Sequence, residues 1–319
     1  MNLFKINPRY SLILKHDNTL LCNCNNKKMI KITINDSEVK ILKNILKKEF
    51  FEKDNSSIFK KLLNKKVIIK CDNVSSNRNT ASYLEVYTDS KIDISQLENK
   101  VVLVVGLGGI GCEIITHLVG NGIKNFVILD YDKVDETNLN RQYLFSYSDL
   151  QKSKTNLVFK KIMEKKPNSN VKIYNKFVDD YKELQNIMED EKVDMVVCAA
   201  DTPFLKIRIS VLEACINTNT PCIFGGVSIL TGQYGPTFIN TNKMKIYLNN
   251  LNTVSNIVCC NNINKASFGP TNTIISAYMS IDIIMTLLNR KKYINSLNRI
   301  KTLNFITRND YEEKKFWSK

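Results

Sequence analysis

The chain has few of the residues that mark metalloproteins, secreted proteins and membrane proteins. Only two histidines occur in 319 residues, His16 and His117, which excludes a histidine-rich metal site. No apolar stretch reaches the roughly 20 uncharged residues that a membrane helix needs. The longest, residues 274–288, is shorter and contains Asp282. The first residues lack the apolar core of a signal peptide. We therefore expect a cytoplasmic protein without membrane contact.

The nine cysteines include no CxxC pair. In a chain without a secretion signal, this favours reduced thiols over disulfides. Structural zinc sites usually draw on such pairs, so zinc is predicted to be absent. Most of the cysteines are expected to be small core residues.

Basic residues are in excess, with 46 lysines and arginines against 31 aspartates and glutamates, a net charge of +15. Such an excess can indicate a nucleic-acid partner. The lysines are spread along the sequence, however, which is typical of a solvated surface, and we expect no nucleic-acid partner. With 43% hydrophobic residues the chain can bury a sizeable core.

Residues 1–75 are predicted to form a small winged-helix-like domain of order β-β-β-α-α-β. Asp36 is expected to cap the first helix, and the second helix is expected at 58–63. Three short strands rich in apolar and β-branched residues are expected before Asp36, at 10–14, 19–22 and 29–34. The polar, turn-rich composition after residue 75 predicts that 76–100 is a linker and entry segment.

From residue 101 to 319, apolar strands alternate with helical patterns. This alternation predicts an α/β fold, with a Rossmann-like, mostly parallel sheet covered by helices on both faces. A long asparagine-rich stretch, about 240–267, is predicted to be a crossover loop, since loops of that length are usually functional lids or disordered.

A glycine-rich turn follows the first strand of this sheet, and its glycines are Gly106, Gly108, Gly109 and Gly111. Such a turn lets backbone N–H groups approach phosphates at the start of a helix. Asp130 follows the next strand, where its carboxylate could accept the ribose hydroxyls. These features alone predict nucleotide binding, and a dehydrogenase would share them.

Further polar residues favour a triphosphate over a dinucleotide. Arg141 and Lys154 could offset phosphate charge, and Asp201, after a later apolar strand, could hold Mg²⁺ through oxygen. A dehydrogenase does not need this combination.

These residues resemble the adenylation signature of the ThiF/MoeB/ubiquitin-activating superfamily: GxGGxG, then DxDxVxxxNLxRQ at 130–142, a lysine and a strand-end aspartate. The resemblance covers about 101–290 and implies an ATP- and Mg²⁺-dependent adenylyltransferase. It implies that Asp130 binds ribose, that Asn138, Arg141 and Lys154 contact phosphates, and that Asp201 ligates Mg²⁺. In the same motif, Asp132 would belong to the nucleotide site and Gln142 would support the loop.

The resemblance also implies a two-fold homodimer. Arg78 resembles the superfamily's arginine finger, which reaches the ATP of the partner subunit; an ordinary surface arginine is the alternative. Cys259 and Cys260 lie where ubiquitin-activating enzymes place a thioester cysteine. No local feature indicates a lowered thiol pKa, so incidental loop cysteines are expected.

Within the superfamily, segments 198–204, 232–238 and 268–284 resemble the branch that attaches AMP to a peptide in microcin C-like antibiotic biosynthesis. This implies a short ribosomal peptide as substrate and a peptide-clamp role for 1–75. The C-terminal asparagine of that peptide would be activated twice, through a succinimide. The alternatives are activation of a ubiquitin-like or sulfur-carrier protein ending in Gly-Gly, an inactive leader-peptide-binding partner, and a DNA-binding winged-helix regulator.

Overall fold

The computed structural model describes residues 3–24, 29–71, 77–178, 180–203, 205–255 and 266–312. The chain divides into two compact units, Met1–Asp93 and Ile94–Lys319. Within the described ranges, no helix is both long and apolar enough to cross a membrane.

The described part of the N-terminal unit contains two small antiparallel sheets and three α-helices. The strands are β1 Leu3–Ile6, β2 Tyr10–Leu14, β3 Thr19–Cys24, β4 Ile30–Thr33, β5 Phe51–Glu52 and β6 Ile68–Cys71. The helices are α1 Asp36–Leu46, α2 Ser57–Asn64 and α3 Arg78–Thr88. The sheet orders are β5-β1-β6 and β2-β3-β4, and one apolar cluster, which includes Leu20, Leu42 and Phe59, fills the interior.

Two details of this unit differ from the sequence-based prediction. Strands β1 and β5 were not predicted; β1 lies at the centre of its sheet, paired with β5 and β6. The cap of α1 is Asn35 rather than Asp36. The Asn35 side chain accepts from the Glu38 backbone N–H and the Glu38 carboxylate accepts from the Asn35 N–H, which together form a capping box.

Much of the segment predicted as a linker, 76–100, is regular structure. It contains α3 and a 3-10 helix at Ile94–Asn99. Leu84 of α3 and Leu97 of the 3-10 helix are buried, so the polar residues around 77–80 begin a helix instead of separating two domains.

The C-terminal unit is built on one eight-stranded sheet of order β14-β13-β12-β11-β10-β7-β8-β9. Its strands are β7 Val101–Val105, β8 Asn125–Leu129, β9 Asn170–Tyr174, β10 Met195–Cys198, β11 Cys222–Val227, β12 Thr231–Phe238, β13 Lys301–Asn304 and β14 Asp310–Glu312. Five neighbouring strands, β11, β10, β7, β8 and β9, pair in parallel. The other three, β12, β13 and β14, are added by antiparallel pairing. The predicted mostly parallel sheet is confirmed.

Among the described residues, six α-helices accompany this sheet: α4 Gly109–Gly120, α5 Lys154–Lys165, α6 Tyr181–Asp190, α7 Lys206–Thr218, α8 Thr241–Ser255 and α9 Gly269–Leu287. Alternate strand residues such as Leu103 and Val105 pack into a core with α6, α7 and α8. Val102 and Val104 point to the opposite face and are also fully buried, and the helix pair α4 and α9 packs on that side. Both faces are therefore covered, as the alternating pattern predicts.

The predicted crossover loop, 240–267, begins with a helix of four turns. Met244 and Tyr247 of α8 are buried in the core beside α7, and Leu248 and Leu251 pack against it. This spacing is helical, so the prediction of a loop across 241–255 was wrong. Residues 256–265 lie outside the described ranges.

Candidate functional site

The predicted site residues of the C-terminal unit lie around one edge of the sheet. Parallel strands β7, β8, β9 and β10 are adjacent, so their carboxyl ends share this edge. Strand β7 lies between β8 and β10, which means that the chain proceeds to one side through β8 and β9 and then crosses to the other at β10. Ligands of open α/β sheets bind in the crevice at such a switch point.

The glycine-rich turn after β7 is packed tightly on one side and open on the other. Gly106 has φ of +93°, and a side-chain Cβ there would lie 2.7 Å from the Ala200 backbone nitrogen. A Cβ on Gly111 would lie 2.0 Å from the Gly106 carbonyl oxygen. A Cβ on Gly108, which precedes the first residue of α4, would meet nothing within 4 Å. The turn therefore presents open backbone at a helix N-terminus, where phosphates are readily bound.

Asp130 joins the end of β8 to this turn. Its Oδ2 accepts a hydrogen bond from the Leu107 N–H at 2.5 Å, and its Oδ1 accepts one from the Asp132 N–H at 2.7 Å. Burial raises the pKa of the Asp130 carboxyl, while the two backbone hydrogen bonds and the Lys154 charge oppose the rise. The carboxyl group is thus fixed in orientation beside the glycine-rich turn.

Lys154, the first residue of α5, is a nearly buried amine in the same place. Its side chain is 5% exposed, and Nζ donates to Oδ2 of the half-exposed Asp132 at 3.0 Å. The backbone N–H of Lys154 also donates to the Asp132 carbonyl. An ammonium has three donors, so Lys154 can bind Asp132 and still serve a phosphate.

The loop at 135–142 carries the predicted amide and guanidinium. Asn138 is buried, and its Oδ1 accepts from the Asp135 N–H at 3.2 Å. Arg141 Nη1 donates to the Thr137 carbonyl at 2.8 Å and to Asn140 Oδ1 at 2.9 Å. The Cγ of Arg141 lies 3.2 Å from the position of a Cβ on Gly109, which places the arginine against the first turn of α4.

Gln142, in the same loop, has a buried side-chain amide. It is 2% exposed, and its Oε1 has no hydrogen-bond partner among the described residues. A buried unpaired carbonyl of this kind costs free energy, which is consistent with the predicted supporting role of Gln142 in a site that takes up a ligand or water.

Asp201 lies three residues past the end of β10 and is exposed. Its Oδ1 accepts from the Thr202 hydroxyl at 3.2 Å. The neighbouring Ala200 contacts Gly106, so Asp201 follows directly on the segment that packs against the phosphate turn. Mg²⁺ is commonly held by one or two carboxylates together with substrate phosphates, and an accessible carboxylate beside the glycine-rich turn fits that pattern.

The structure adds an aromatic pair that the sequence reasoning missed. Tyr131 and Phe177 follow the ends of β8 and β9, and their rings meet edge to face with centroids 5.1 Å apart. The side chains are 49% and 44% exposed. The pKa of Tyr131 is raised by partial burial and then by the charges of Asp132, Asp130 and Asp201. In the sequence, the position of Tyr131 directly after Asp130 could have indicated that this aromatic side chain belongs to the site.

Asn272 of α9 is a second residue that the sequence reasoning missed. This buried amide places Oδ1 2.7 Å from the position of a Cβ on Gly109, while its Nδ2 donates to the Phe268 carbonyl at 2.8 Å. Ser276, one turn later, donates to the Ile110 carbonyl at 3.2 Å. The first turns of α9 therefore brace the N-terminus of α4.

The remaining predicted residues are not assembled at this edge by any described contact. Arg78 belongs to the N-terminal unit, where it begins α3 and forms a two-pronged ion pair with Glu49, at 2.6 Å and 3.1 Å. Its predicted action on a partner subunit stays a prediction. Cys259 and Cys260 lie outside the described residues.

The cysteines whose side chains are described are mostly core residues. Cys112, Cys198, Cys215 and Cys222 are fully buried, and burial raises the pKa of the Cys198 thiol to about 11. Across the described part of the chain, no three His, Cys, Asp or Glu side chains cluster where they could together hold a metal ion.

The chain resembles known proteins in sequence and in fold. It is 34% identical over 140 residues to the NEDD8-activating enzyme E1 catalytic subunit of Schizosaccharomyces pombe, which covers 41% of this chain and 30% of that protein. It is 26% identical over 204 residues to a probable molybdopterin-synthase adenylyltransferase of Porphyra purpurea, which covers 63% of this chain and 52% of that protein. The chain thus spans about half or less of the length of these relatives.

Solved structures match over nearly the whole chain. Escherichia coli MccB, crystallised with AMPCPP and MccA, superimposes with a TM-score of 0.70 at 21% identity and covers 99% of this chain and 97% of MccB. PaaA superimposes with a TM-score of 0.67 at 16% identity. These likenesses establish the shared fold.

The ThiF family model matches residues 81–316, which include the glycine turn, Asp130, the 135–142 loop, Lys154 and Asp201. The match covers well over half of the sequence, and it agrees with both the curated relatives and the fold. The chain belongs to the ThiF family.

Proposed function

We propose that this protein is an ATP-dependent adenylyltransferase that joins AMP to a substrate carboxylate and releases pyrophosphate. The observation that carries the proposal is the edge of the sheet where open backbone at Gly108, the fixed carboxyl of Asp130 and the buried ammonium of Lys154 occur together. The turn offers N–H groups to phosphates, the carboxyl accepts from ribose hydroxyls, and the ammonium offsets phosphate charge.

The reaction needs little proton transfer. A carboxylate oxygen of the substrate forms a bond to the α-phosphorus of ATP, the bond from that phosphorus to the bridging oxygen breaks, and the electron pair leaves with pyrophosphate. A substrate carboxylate is already ionised at neutral pH, so no general base is required. Catalysis then depends on alignment and on charge stabilisation by Lys154 and Arg141.

Arg141 can take this part without losing its present contacts. Its Nη1 now bonds the loop at Thr137 and Asn140, and the remaining guanidinium donors can extend to a phosphate. Asn138 would donate its amide N–H from the same loop. Asp201 would hold Mg²⁺ together with phosphate oxygens, and the ion would supply further positive charge at the leaving group.

The Tyr131–Phe177 pair is proposed to contact the nucleobase. It is half exposed at the ends of β8 and β9, on the Asp130 side of the turn. An aromatic surface beside the ribose carboxyl suits a purine, because aromatic rings stack on a base with little cost in ordering.

A short peptide is the proposed substrate, activated at a C-terminal residue in nucleotide-peptide antibiotic biosynthesis. Support comes from the match to MccB over nearly the full length of both chains, since MccB has been crystallised with ATP, with MccA and with a succinimide. The N-terminal unit, residues 1–93, is included in that match and is proposed to clamp the peptide.

A second candidate is activation of a protein that ends in Gly-Gly. Several curated relatives favour it, because they are named as NEDD8-activating, SUMO-activating and molybdopterin-synthase-adenylylating proteins. An inactive leader-binding partner is less well supported, since such a protein would have no need to keep Asp130, Asn138, Arg141, Lys154 and Asp201 together in one chain.

A homodimer in the cytoplasm is part of the proposal. Ile274, Tyr278 and Ile281 are spaced along one face of α9 and are about 40% exposed, and Ile229 and Leu230 add two more exposed apolar side chains in the β11–β12 turn. Exposed apolar side chains of this kind are typical of a subunit interface.

Pyrophosphate exchange into ATP tests the activity and chooses between substrates. The purified chain, with Mg²⁺, would be assayed with a short peptide ending in asparagine, the same peptide amidated at its C-terminus, and a ubiquitin-like protein ending in Gly-Gly. We expect exchange with the free peptide and not with the amide. Exchange with the Gly-Gly protein alone would establish the second candidate, and no exchange with any carboxylate would refute the enzyme.

A further inference from the structure

Positive charge is concentrated in the first 71 residues of the N-terminal unit, although lysines occur throughout the sequence. Residues 1–71 contain 16 lysines and arginines but only six aspartates and glutamates. Less than a quarter of the chain therefore carries ten of its fifteen net positive charges. A surface with this imbalance attracts anions over about the Debye length, roughly 8–10 Å at physiological salt.

Most of the acidic residues of this segment have local hydrogen-bond or ion-pair partners, and their negative charges are already included in that net value. Asp17, Asp36 and Asp54 accept hydrogen bonds from Thr19, Asn18 and Ser56, Glu38 pairs with Lys61, and Glu49 pairs with Arg78. Ten positive charges of residues 1–71 remain in excess after these carboxylates are counted.

Helix α1 aligns three of these lysines on one face. Lys40, Lys43 and Lys47 are spaced i, i+3, i+7, which places them on the side opposite the buried Leu42 and Ile45. All three are exposed, and no described residue forms an ion pair with them. They extend over about 10 Å of helix, at roughly 1.5 Å per residue.

An exposed leucine flanks this row of charges. Leu46 lies between Lys43 and Lys47 in sequence and is 45% exposed at the end of α1. Its side chain contributes apolar surface to the edge of the lysine face, so a partner could gain both ion pairing and apolar burial there.

We propose that the face formed by Lys40, Lys43, Leu46 and Lys47 binds an acidic polypeptide segment that carries at least one apolar side chain. The inference rests on the proposed function in one respect: the N-terminal unit is taken as the part that recognises the peptide substrate. An acidic segment of that substrate, away from the residue that is activated, matches the charge, and its apolar residue covers Leu46.

The composition of the unit favours a polypeptide over a nucleic acid. The lysine face contains no arginine, the residue that best matches phosphate and base edges, and the two described arginines of the unit, Arg9 and Arg78, are paired with Asp89 and Glu49. The exposed tyrosines Tyr83 and Tyr87 stack on each other with centroids 6.0 Å apart, so their facing surfaces are not open to bases.

Charge reversal on the full-length chain tests the proposal. The variant K40E/K43E/K47E would be compared with K160E/K172E/K182E, which makes the same change in net charge at exposed lysines of the C-terminal unit. The probe is a short fluorescein-labelled peptide of alternating glutamate and leucine, and the readout is fluorescence anisotropy at about 0.05 M and 0.2 M salt. Circular dichroism verifies folding, and K40Q/K43Q/K47Q replaces the first variant if reversal unfolds the helix.

We expect the lysine-face variant to weaken binding by about tenfold or more and the control variant by less than about twofold, with binding weaker at the higher salt. Replacing Leu46 by glutamine should weaken binding several-fold without changing the salt dependence. Equal losses in the two charge variants would mean that net charge alone attracts the probe, which overturns the proposal. Tighter binding of duplex DNA than of the peptide, lost in the same variant, would overturn it in favour of a nucleic acid.

The readout separates this inference from the proposed activity. A chain that binds the acidic peptide through α1 but fails in pyrophosphate exchange would refute the adenylyltransferase and leave the lysine face intact. A chain that adenylates its peptide but binds the acidic probe no better than the triple variant would refute binding at the lysine face and leave the adenylyltransferase intact.

Discussion

At the scale of single residues, two glycines of one turn should respond differently to alanine. Gly108→Ala adds a Cβ into open space, so the thermal midpoint should stay within about a degree. The same Cβ would occupy the approach of phosphates to the backbone, and we expect KM for ATP to rise on the order of tenfold, about 1.4 kcal/mol.

Gly111→Ala provides the contrast, because its Cβ would overlap the Gly106 carbonyl oxygen. We expect a loss of about 1–3 kcal/mol in the free energy of unfolding, as for other overpacked sites. The measurements are the thermal unfolding and the KM for ATP of both variants. Equal loss of stability in the two proteins would show that Gly108 is not open to a ligand.

Lys154 and Lys152 form a matched pair for testing phosphate contact. Lys154 is buried against Asp132. The Lys152 side chain is 57% exposed, and its Nζ lies 3.6 Å from Oδ1 of Asp149. Replacing Lys154 by methionine should lower kcat/KM for pyrophosphate exchange by about 10²- to 10³-fold, the cost of a lost transition-state charge contact. Lys152→Met should stay within about twofold of the wild type. Similar kinetics for both variants would remove Lys154 from the reaction.

At the scale of elements, α9 is predicted to hold the phosphate turn in place through Asn272. Replacing Asn272 by alanine removes its side-chain hydrogen bonds to Phe268 and Ser267 and its contact with Gly109, and it leaves a cavity where the buried amide lay. We expect a loss of about 1–3 kcal/mol in stability.

KM for ATP should rise in the same variant, because the start of α4 is no longer braced, while kcat at saturating ATP should change little. The neighbouring Thr273→Ala, at a partly exposed position on α9, serves as control. A stability loss with unchanged KM would assign Asn272 a purely structural role.

The same elements show how far the sequence could predict the site. Alternating strands and helices place Gly106, Asp130 and Asp201 at strand ends, and chain order alone brings strand ends to one edge of a parallel sheet. Asn272 reaches that edge only through tertiary packing, which spacing in the sequence does not encode. Phe177 follows a strand end, that of β9, but its contact with Tyr131 depends on tertiary packing. The helix α8 was missed for another reason. Its apolar positions have helical spacing, but the many asparagines and lysines between them suggested a loop.

At the scale of the whole molecule, a homodimer with an arginine acting between subunits makes a testable prediction about mixing. Arg78 and Lys154 belong to different units of the chain, and Arg78 is anchored to Glu49 by two hydrogen bonds. If Arg78 serves the partner's ATP, Arg78→Ala and Lys154→Met should each be inactive as pure proteins. In a mixed dimer, however, the subunit with intact Lys154 receives an intact Arg78 from its partner.

Equimolar mixing, with subunit exchange followed by mass measurement, should therefore restore pyrophosphate exchange to about a quarter of the wild-type rate, because half of the dimers are mixed and each has one complete site. Arg78→Lys mixed with Lys154→Met tests whether charge alone suffices. Failure of the mixture to recover activity, with mixed dimers demonstrably present, would confine Arg78 to its own subunit. An active chain with a mass of 36.6 kDa in solution would refute the dimer itself.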